Sequence, residues 1–156
     1  MRQEFVEYIL ELMKNDGNVY FLTADLGMYI LDPLKDLPNF YNVGASEQFM
    51  LDLAVGLTYS GKKVICYSIT PFLLYRPFEA IRTYVSHENL PILLVGSGRD
   101  NDYEHDGFSH YAGDDSAILK QLPNINIYKP ESNEELAEDM PRLLKFDKPN
   151  YLNLKK

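Results

Sequence analysis

With 156 residues and 46% hydrophobic side chains, the chain can bury a core without disulfides. Its 23 acidic residues outnumber 15 basic ones, and the formal net charge of −8 argues against nucleic acid as a partner, because a phosphate backbone needs patches of Lys and Arg. No apolar run reaches the roughly 18 residues of a membrane span, no secretory leader is expected at the acidic, amphipathic N-terminus, and the lone Cys66, set among Val64, Ile65 and Tyr67, reads as a buried small hydrophobe of a cytoplasmic protein.

Val6, Ile9, Leu10 and Met13 have helical spacing, and Asp16-Gly17-Asn18 ends that helix. Val19 to Leu22 reads as a buried strand, followed by a loop through Asp25-Leu26-Gly27 and a helical turn from Asp32 to Leu37. Tyr41-Asn42-Val43 is a short strand. Ser46 is placed to cap a helix that runs to about Ser60, with Met50, Leu51, Ala54 and Leu57 inward. Lys63 to Ser68 is the next strand. Pro77 suits the first turn of a helix ending near His87. Ile92 to Val95 is a buried strand, and Gly96 to Gly113 a long polar loop. Asp114 or Asp115 then caps a helix through Leu122, and Ile125 to Tyr128 is a strand. Ser132 opens the last helix, which Pro141 is expected to break or kink, and Asn150 to Leu154 closes the chain as an edge strand.

Short strands alternating with helices call for βαβ crossovers. The expected fold is α/β: a three-layer sandwich around a mostly parallel sheet of about six strands, in one domain over residues 1–156. In such sheets ligands sit beyond the carboxyl ends of the strands. The loops Ala24 to Leu31, Gly44 to Glu47, Ile69 to Arg76 and Gly96 to Gly113 therefore carry the functional question. The pattern alone also fits a receiver or a flavin domain. A receiver needs paired acids after its first strand, where Asp25 stands alone.

Several segments, in chain order, resemble the pyrimidine-binding domain of transketolases and deoxyxylulose-phosphate synthases. They are Ala24-Asp25-Leu26-Gly27, Asn42-Val43-Gly44-Ala45-Ser46-Glu47-Gln48, Ser68-Ile69-Thr70-Pro71-Phe72 with Arg76-Pro77-Phe78-Glu79-Ala80-Ile81-Arg82, Asp106-Gly107-Phe108-Ser109-His110, and the trailing Leu122-Pro123-Asn124-Ile125-Asn126-Ile127-Tyr128-Lys129-Pro130. Each piece is weak alone; the ordered set is specific. The resemblance implies the thiamine-diphosphate-binding fold, with thiamine diphosphate as cofactor. It places Glu47 on N1′ of the aminopyrimidine, where a carboxyl group promotes loss of the thiazolium C2 proton. By itself Glu47 reads as an acid in the first turn of a helix, favoured by the helix dipole. Phe72, Tyr75 and Phe78 read by spacing as a core stripe; the resemblance makes Phe72 a stacking platform for the pyrimidine, with Tyr75, Phe78 and Asp25 completing the cofactor pocket.

Asp106 and His110 match the element that binds the donor's hydroxyls and assists proton transfer in transketolases, and an imidazole suits that task. Arg76 is the candidate anion contact to substrate, with Arg99 a further possibility and Arg82 a helix-face residue. His105, Asp106 and His110 are ligand types for a metal, yet no second ligand cluster accompanies them and no metal site is expected on this chain. Ser109 replaces the usual Thr, and Gly98 stands where many transketolases carry a further active-site histidine, which weakens the case for ordinary sugar-phosphate donors.

The Gly-Asp-Gly…Asn element that holds diphosphate through Mg2+ has no counterpart here. Gly113-Asp114-Asp115 lacks the third Gly and falls inside the pyrimidine-domain match. The resemblance thus implies a split enzyme, with a separate diphosphate-binding subunit carrying the Mg2+ and a heterotetramer as the closed assembly. The expected function is ketol transfer between sugar-type substrates. The alternatives are a 2-keto-acid decarboxylase or acyloin synthase subunit, and a non-catalytic partner that only stabilises a diphosphate-domain subunit.

Overall fold

The computed structural model describes residues 1–27 and 29–156. In chain order the elements are α1 (Arg2–Asn15), β1 (Val19–Thr23), a 3-10 turn (Asp32–Leu34), β2 (Phe40–Asn42), α2 (Glu47–Tyr59), β3 (Lys63–Ile69), α3 (Thr70–Tyr75), α4 (Phe78–Ala80, continued by a π-helical stretch Ile81–His87), β4 (Ile92–Ser97), 3-10 turns at Glu104–Asp106 and Phe108–His110, α5 (Asp115–Leu119), β5 (Asn126–Tyr128), α6 (Asn133–Leu143) and β6 (Asn150–Leu154). All six strands are parallel, in the order β2-β1-β3-β4-β6-β5.

Two apolar clusters cover the two faces of this sheet. Alternate strand residues explain the division, because successive side chains point to opposite faces. Ile65 and Tyr67 pack with Phe5, Ile9, Leu136 and Met140 from α1 and α6. Val64 and Cys66 pack with Met50, Leu51, Leu73, Ile81 and Leu119 from α2 to α5. Burial pushes the Cys66 thiol up, which keeps it an inert core group.

Three elements differ from the sequence expectation. Asn150 to Leu154 is not an edge strand: β6 lies between β4 and β5, and all five of its residues are buried. Its two asparagines suggest solvent, yet Asn153 Nδ2 donates to Thr70 Oγ1 at 3.0 Å and to Tyr151 Oη at 2.8 Å inside the molecule. Thr70–Tyr75 forms a helix where the sequence suggests a loop, with Pro71 in its first turn, the position that proline favours. Pro141 neither breaks nor ends α6, which runs on to Leu143; so near the C-terminus the ring removes a single helical bond.

Beneath α3 and α5 the buried polar groups form one connected set. Tyr151 Oη donates to Asp115 Oδ2 at 2.8 Å, and Lys129 Nζ donates to Asp115 Oδ1 at 2.9 Å. Thr70 Oγ1 donates to the Gly98 carbonyl at 2.6 Å. Gly96 must lack a side chain here, because a Cβ would stand 2.5 Å from Thr70 Oγ1 and 2.9 Å from Tyr151 Oη. Asp115 is fully buried, and these partners offset the cost of taking its carboxyl group out of water. We expect Lys129→Met to lower stability by about 1.5–3 kcal/mol, the worth of a hydrogen bond to a charged group. Urea unfolding with an unchanged midpoint would show that the ion pair contributes nothing.

Candidate active site at the sheet's carboxyl edge

The strand order reverses direction around β1 and β3: the chain moves from β1 outward to β2, then returns across β1 to β3. That reversal opens a crevice at the carboxyl ends of the strands, the usual ligand position in parallel sheets. Glu47 reaches into it from the first residue of α2, Ser68 from the end of β3, and Phe72 and Arg76 from α3 and the residue after it.

Glu47 is 2% exposed, unusual for a carboxylate and tolerable only with partners. Ser68 Oγ donates to its Oε1 at 3.1 Å, and Arg76 Nη1 donates to its Oε2 at 2.6 Å. Ser46 occupies the cap position before α2, but its side chain accepts no bond from the helix. Phe72 and Arg76 are four residues apart, one helical turn, which sets the guanidinium carbon 3.9 Å from the centroid of the Phe72 ring. The ring of His110 meets Phe72 edge to face, with centroids 4.9 Å apart and planes at 66°. Glu47, Ser68, Phe72, Arg76 and His110 thus form one continuous cluster.

His110 arrives there through folded loop structure. Two 3-10 turns occupy much of the loop that follows β4, and Gly107 joins them with φ of +86°, a conformation that disfavours any residue with a Cβ. An isolated bridge between Asp100 and Ala112 closes the neck of the loop. Ser109 Oγ lies 3.0 Å from His110 Nδ1, leaving Nε2 as the free ring nitrogen. Asp106 is exposed and pairs with His105, whose Nε2 is 3.3 Å from Asp106 Oδ2.

The other expected site residues stand outside this cluster. The Tyr75 hydroxyl donates to the Asp114 carboxylate at the start of α5; partial burial first, then that carboxylate, push the phenol up, so it stays a protonated donor. Phe78 is half-buried at the start of α4 and has no ring contact with the cluster among the described residues. Asp25 is exposed, with φ of +52°, and lines a hollow of about 470 Å³ with Asp32, Lys35, Phe40 and Asn42 that does not include Glu47. Arg99 is not an anion contact. It is 4% exposed, and its guanidinium is held by Asn153 Oδ1 at 2.8 Å, the Asn153 carbonyl at 2.7 Å, the Pro130 carbonyl at 3.0 Å and Glu131 at 2.7 Å. Arginine's planar fork suits that saturated structural role.

Two site-forming residues are not apparent from the sequence. Ser68, a lone hydroxyl closing an apolar strand, is the fixed partner of Glu47. Asn42 Oδ1 accepts from the backbone N–H groups of Asp25 and Gly44, each at 3.0 Å, and so ties together the loops that follow β1 and β2. Among the described residues no group of three or more His, Cys, Asp or Glu side chains is placed to hold a metal ion, and no helix is long and apolar enough to cross a membrane.

Fold and site together define a parallel α/β domain with a buried acid, an aromatic platform and an imidazole at the switch-point crevice. Residues 1–156 match the family described as transketolase, pyrimidine binding domain, and the chain belongs to that family. Its family implies thiamine diphosphate. It is similar to a 6-deoxy-6-sulfo-D-fructose transketolase subunit from a Clostridium species, 27% identical over 99% of this chain and 49% of that one. It is also similar to an apulose-4-phosphate transketolase subunit from Phocaeicola vulgatus, 26% identical over 98% of this chain and 50% of that one. Among solved structures, a split-gene transketolase described as an inactive beta4 tetramer shares the fold, with TM-score 0.84, 23% identity, and coverage of 99% of this chain and 50% of that chain. The chain spans about half the length of these relatives.

If Asn42 is the clamp between the two loops, Asn42→Ala should expose the amides of Asp25 and Gly44. Removing a hydrogen bond worth about 1 kcal/mol accelerates exchange roughly fivefold. Hydrogen–deuterium exchange that leaves both amides at the wild-type rate would contradict the assignment.

Proposed function

We propose that this chain is the pyrimidine-binding subunit of a split transketolase-like enzyme that moves a two-carbon ketol unit between sugar-type substrates. The observation that carries the proposal is Glu47: a buried carboxylate linked through Arg76 to the ring of Phe72, at the edge where parallel sheets bind ligands. The donor set fits an aminopyrimidine. Glu47 would hold N1′, Ser68 would keep the carboxylate oriented, and Phe72 would support one face of the ring. When bound, thiamine diphosphate supplies the carbon nucleophile and electron sink that this chemistry needs.

The remaining groups belong to this chain. Glu47 would set its carboxyl group where a proton can pass to or from a ring nitrogen. His110, whose ring meets Phe72, would offer Nε2 to the substrate, with Ser109 holding the ring through Nδ1. Asp106, exposed and paired with His105, would bind substrate hydroxyls. The diphosphate and Mg2+ are assigned to a separate subunit with a Gly-Asp-Gly…Asn element, in a cytoplasmic heterotetramer. Similarity to relatives that are themselves named as transketolase subunits supports this division.

Calorimetry on the purified chain with thiamine diphosphate and Mg2+ should give only weak binding, because the diphosphate carries most of the ligand's charge. Submicromolar affinity would defeat the division of labour. In the complex with the diphosphate-domain subunit, His110→Ala and Asp106→Ala should each cost about 1.5–3 kcal/mol of transition-state stabilisation, roughly ten- to 150-fold in turnover, with cofactor affinity retained. Full activity in both variants would make the loop a solvated surface.

A further inference from the structure

Arg76 lies across the pocket assigned above to the pyrimidine. Its Nη1 donates to Glu47 at 2.6 Å, and its guanidinium carbon lies over the Phe72 ring, 3.9 Å from the centroid. These are the contacts an aminopyrimidine requires there: a donor edge toward the carboxylate and a flat face on the ring. Both Glu47 oxygens are already engaged, one by Ser68 and one by Arg76. Guanidinium and a protonated aminopyrimidine are both flat N–H donors, and Arg76 already occupies the contacts to the carboxylate and to Phe72 that such a ring would make.

We infer that Arg76 is an internal competitor for the seat, one that an aminopyrimidine displaces on binding. The inference rests on the proposed function's assignment of that seat. Burial is asymmetric in a way that suits displacement. Glu47 is 2% exposed and stays in place, whereas the Arg76 side chain is 46% exposed and has an open route to solvent. The competitor also solves a physical problem, since a buried carboxylate without a partner is costly. Arg76 neutralises Glu47 until a ligand with the same donor geometry replaces it. A flat ring that cannot donate to a carboxylate leaves the ion pair intact, so Arg76 acts as a specificity determinant as well as a plug. The competition lowers apparent affinity by the fraction of molecules in which Arg76 is already out.

The test uses the chain itself, with 4-amino-5-hydroxymethyl-2-methylpyrimidine as the probe. The NMR signal of the Arg76 Nε–H group should carry a ring-current shift that Phe72→Leu abolishes, and saturation with the probe should move it to the position of a solvated arginine. Arg76→Ala should bind the probe about tenfold more tightly than wild type. Arg76→Lys, which retains the charge without the plane and protects against misfolding of the alanine variant, should fall between them. Equal or weaker binding by both variants, or an Arg76 signal that stays in place at saturation, overturns the inference and leaves the proposed function standing. No binding by any form at millimolar probe, with Arg76 still over Phe72, overturns the inference as well, while the proposed function, which requires only weak binding by the isolated chain, stands or falls on activity of the two-subunit complex.

Discussion

A carboxylate that is almost wholly buried must be held, and the elements around Glu47 are arranged as its holders. The first turn of α2 supplies the acid, the end of β3 supplies the Ser68 hydroxyl, and the turn after α3 supplies the Arg76 guanidinium. Those elements meet because the strand order reverses around β1 and β3, which brings the loops after β1, β2 and β3 to one crevice. Moving β3 or the turn after α3 would take one of its two partners from a carboxylate in a low-dielectric interior.

The deeper polar set supports that arrangement from below. Thr70, the first residue of α3, is tied to the Gly98 carbonyl and to Asn153, while Tyr151 and Lys129 hold Asp115 at the first turn of α5. The helix that carries Phe72 and the loop that carries His110 thus share one anchor. Their edge-to-face contact follows from this common footing as much as from attraction between the rings.

Much of this is legible in the residue pattern, for identifiable reasons. Strands and long helices declare themselves by period, as Val64 and Cys66 against Ile65 and Tyr67 show on opposite faces of β3. The order of the family-like segments points to Glu47, Phe72 and His110, which the fold gathers into one cluster, although periodicity alone reads Glu47 as a capping acid. Long-range pairing is what the pattern does not reveal. Asn150 and Asn153 look solvent-facing until their partners on distant segments are known, and Arg99 looks like a free cation until Asn153 and the Pro130 carbonyl enclose it. The α3 helix is not evident although Thr70-Pro71 is a reasonable helix start, because six residues are too few to display a period. The Arg76 pairing with Glu47 depends on that same helix, whose one-turn spacing lays the guanidinium on Phe72.

The proposed function has Glu47 act on the cofactor's ring nitrogen, beyond its place as a buried acid at a helix start. The measurement that tests this most directly is the hydrogen–deuterium exchange rate at thiazolium C2 of thiamine diphosphate bound to the complex of this chain with its diphosphate-domain subunit. Glu47 is compared with its near-isosteric variant Glu47→Gln at matched melting temperature. Loss of a positioned acid–base group should slow exchange by about 10²–10⁴-fold. Exchange at the wild-type rate in Glu47→Gln would contradict the account and leave Glu47 a structural residue of α2.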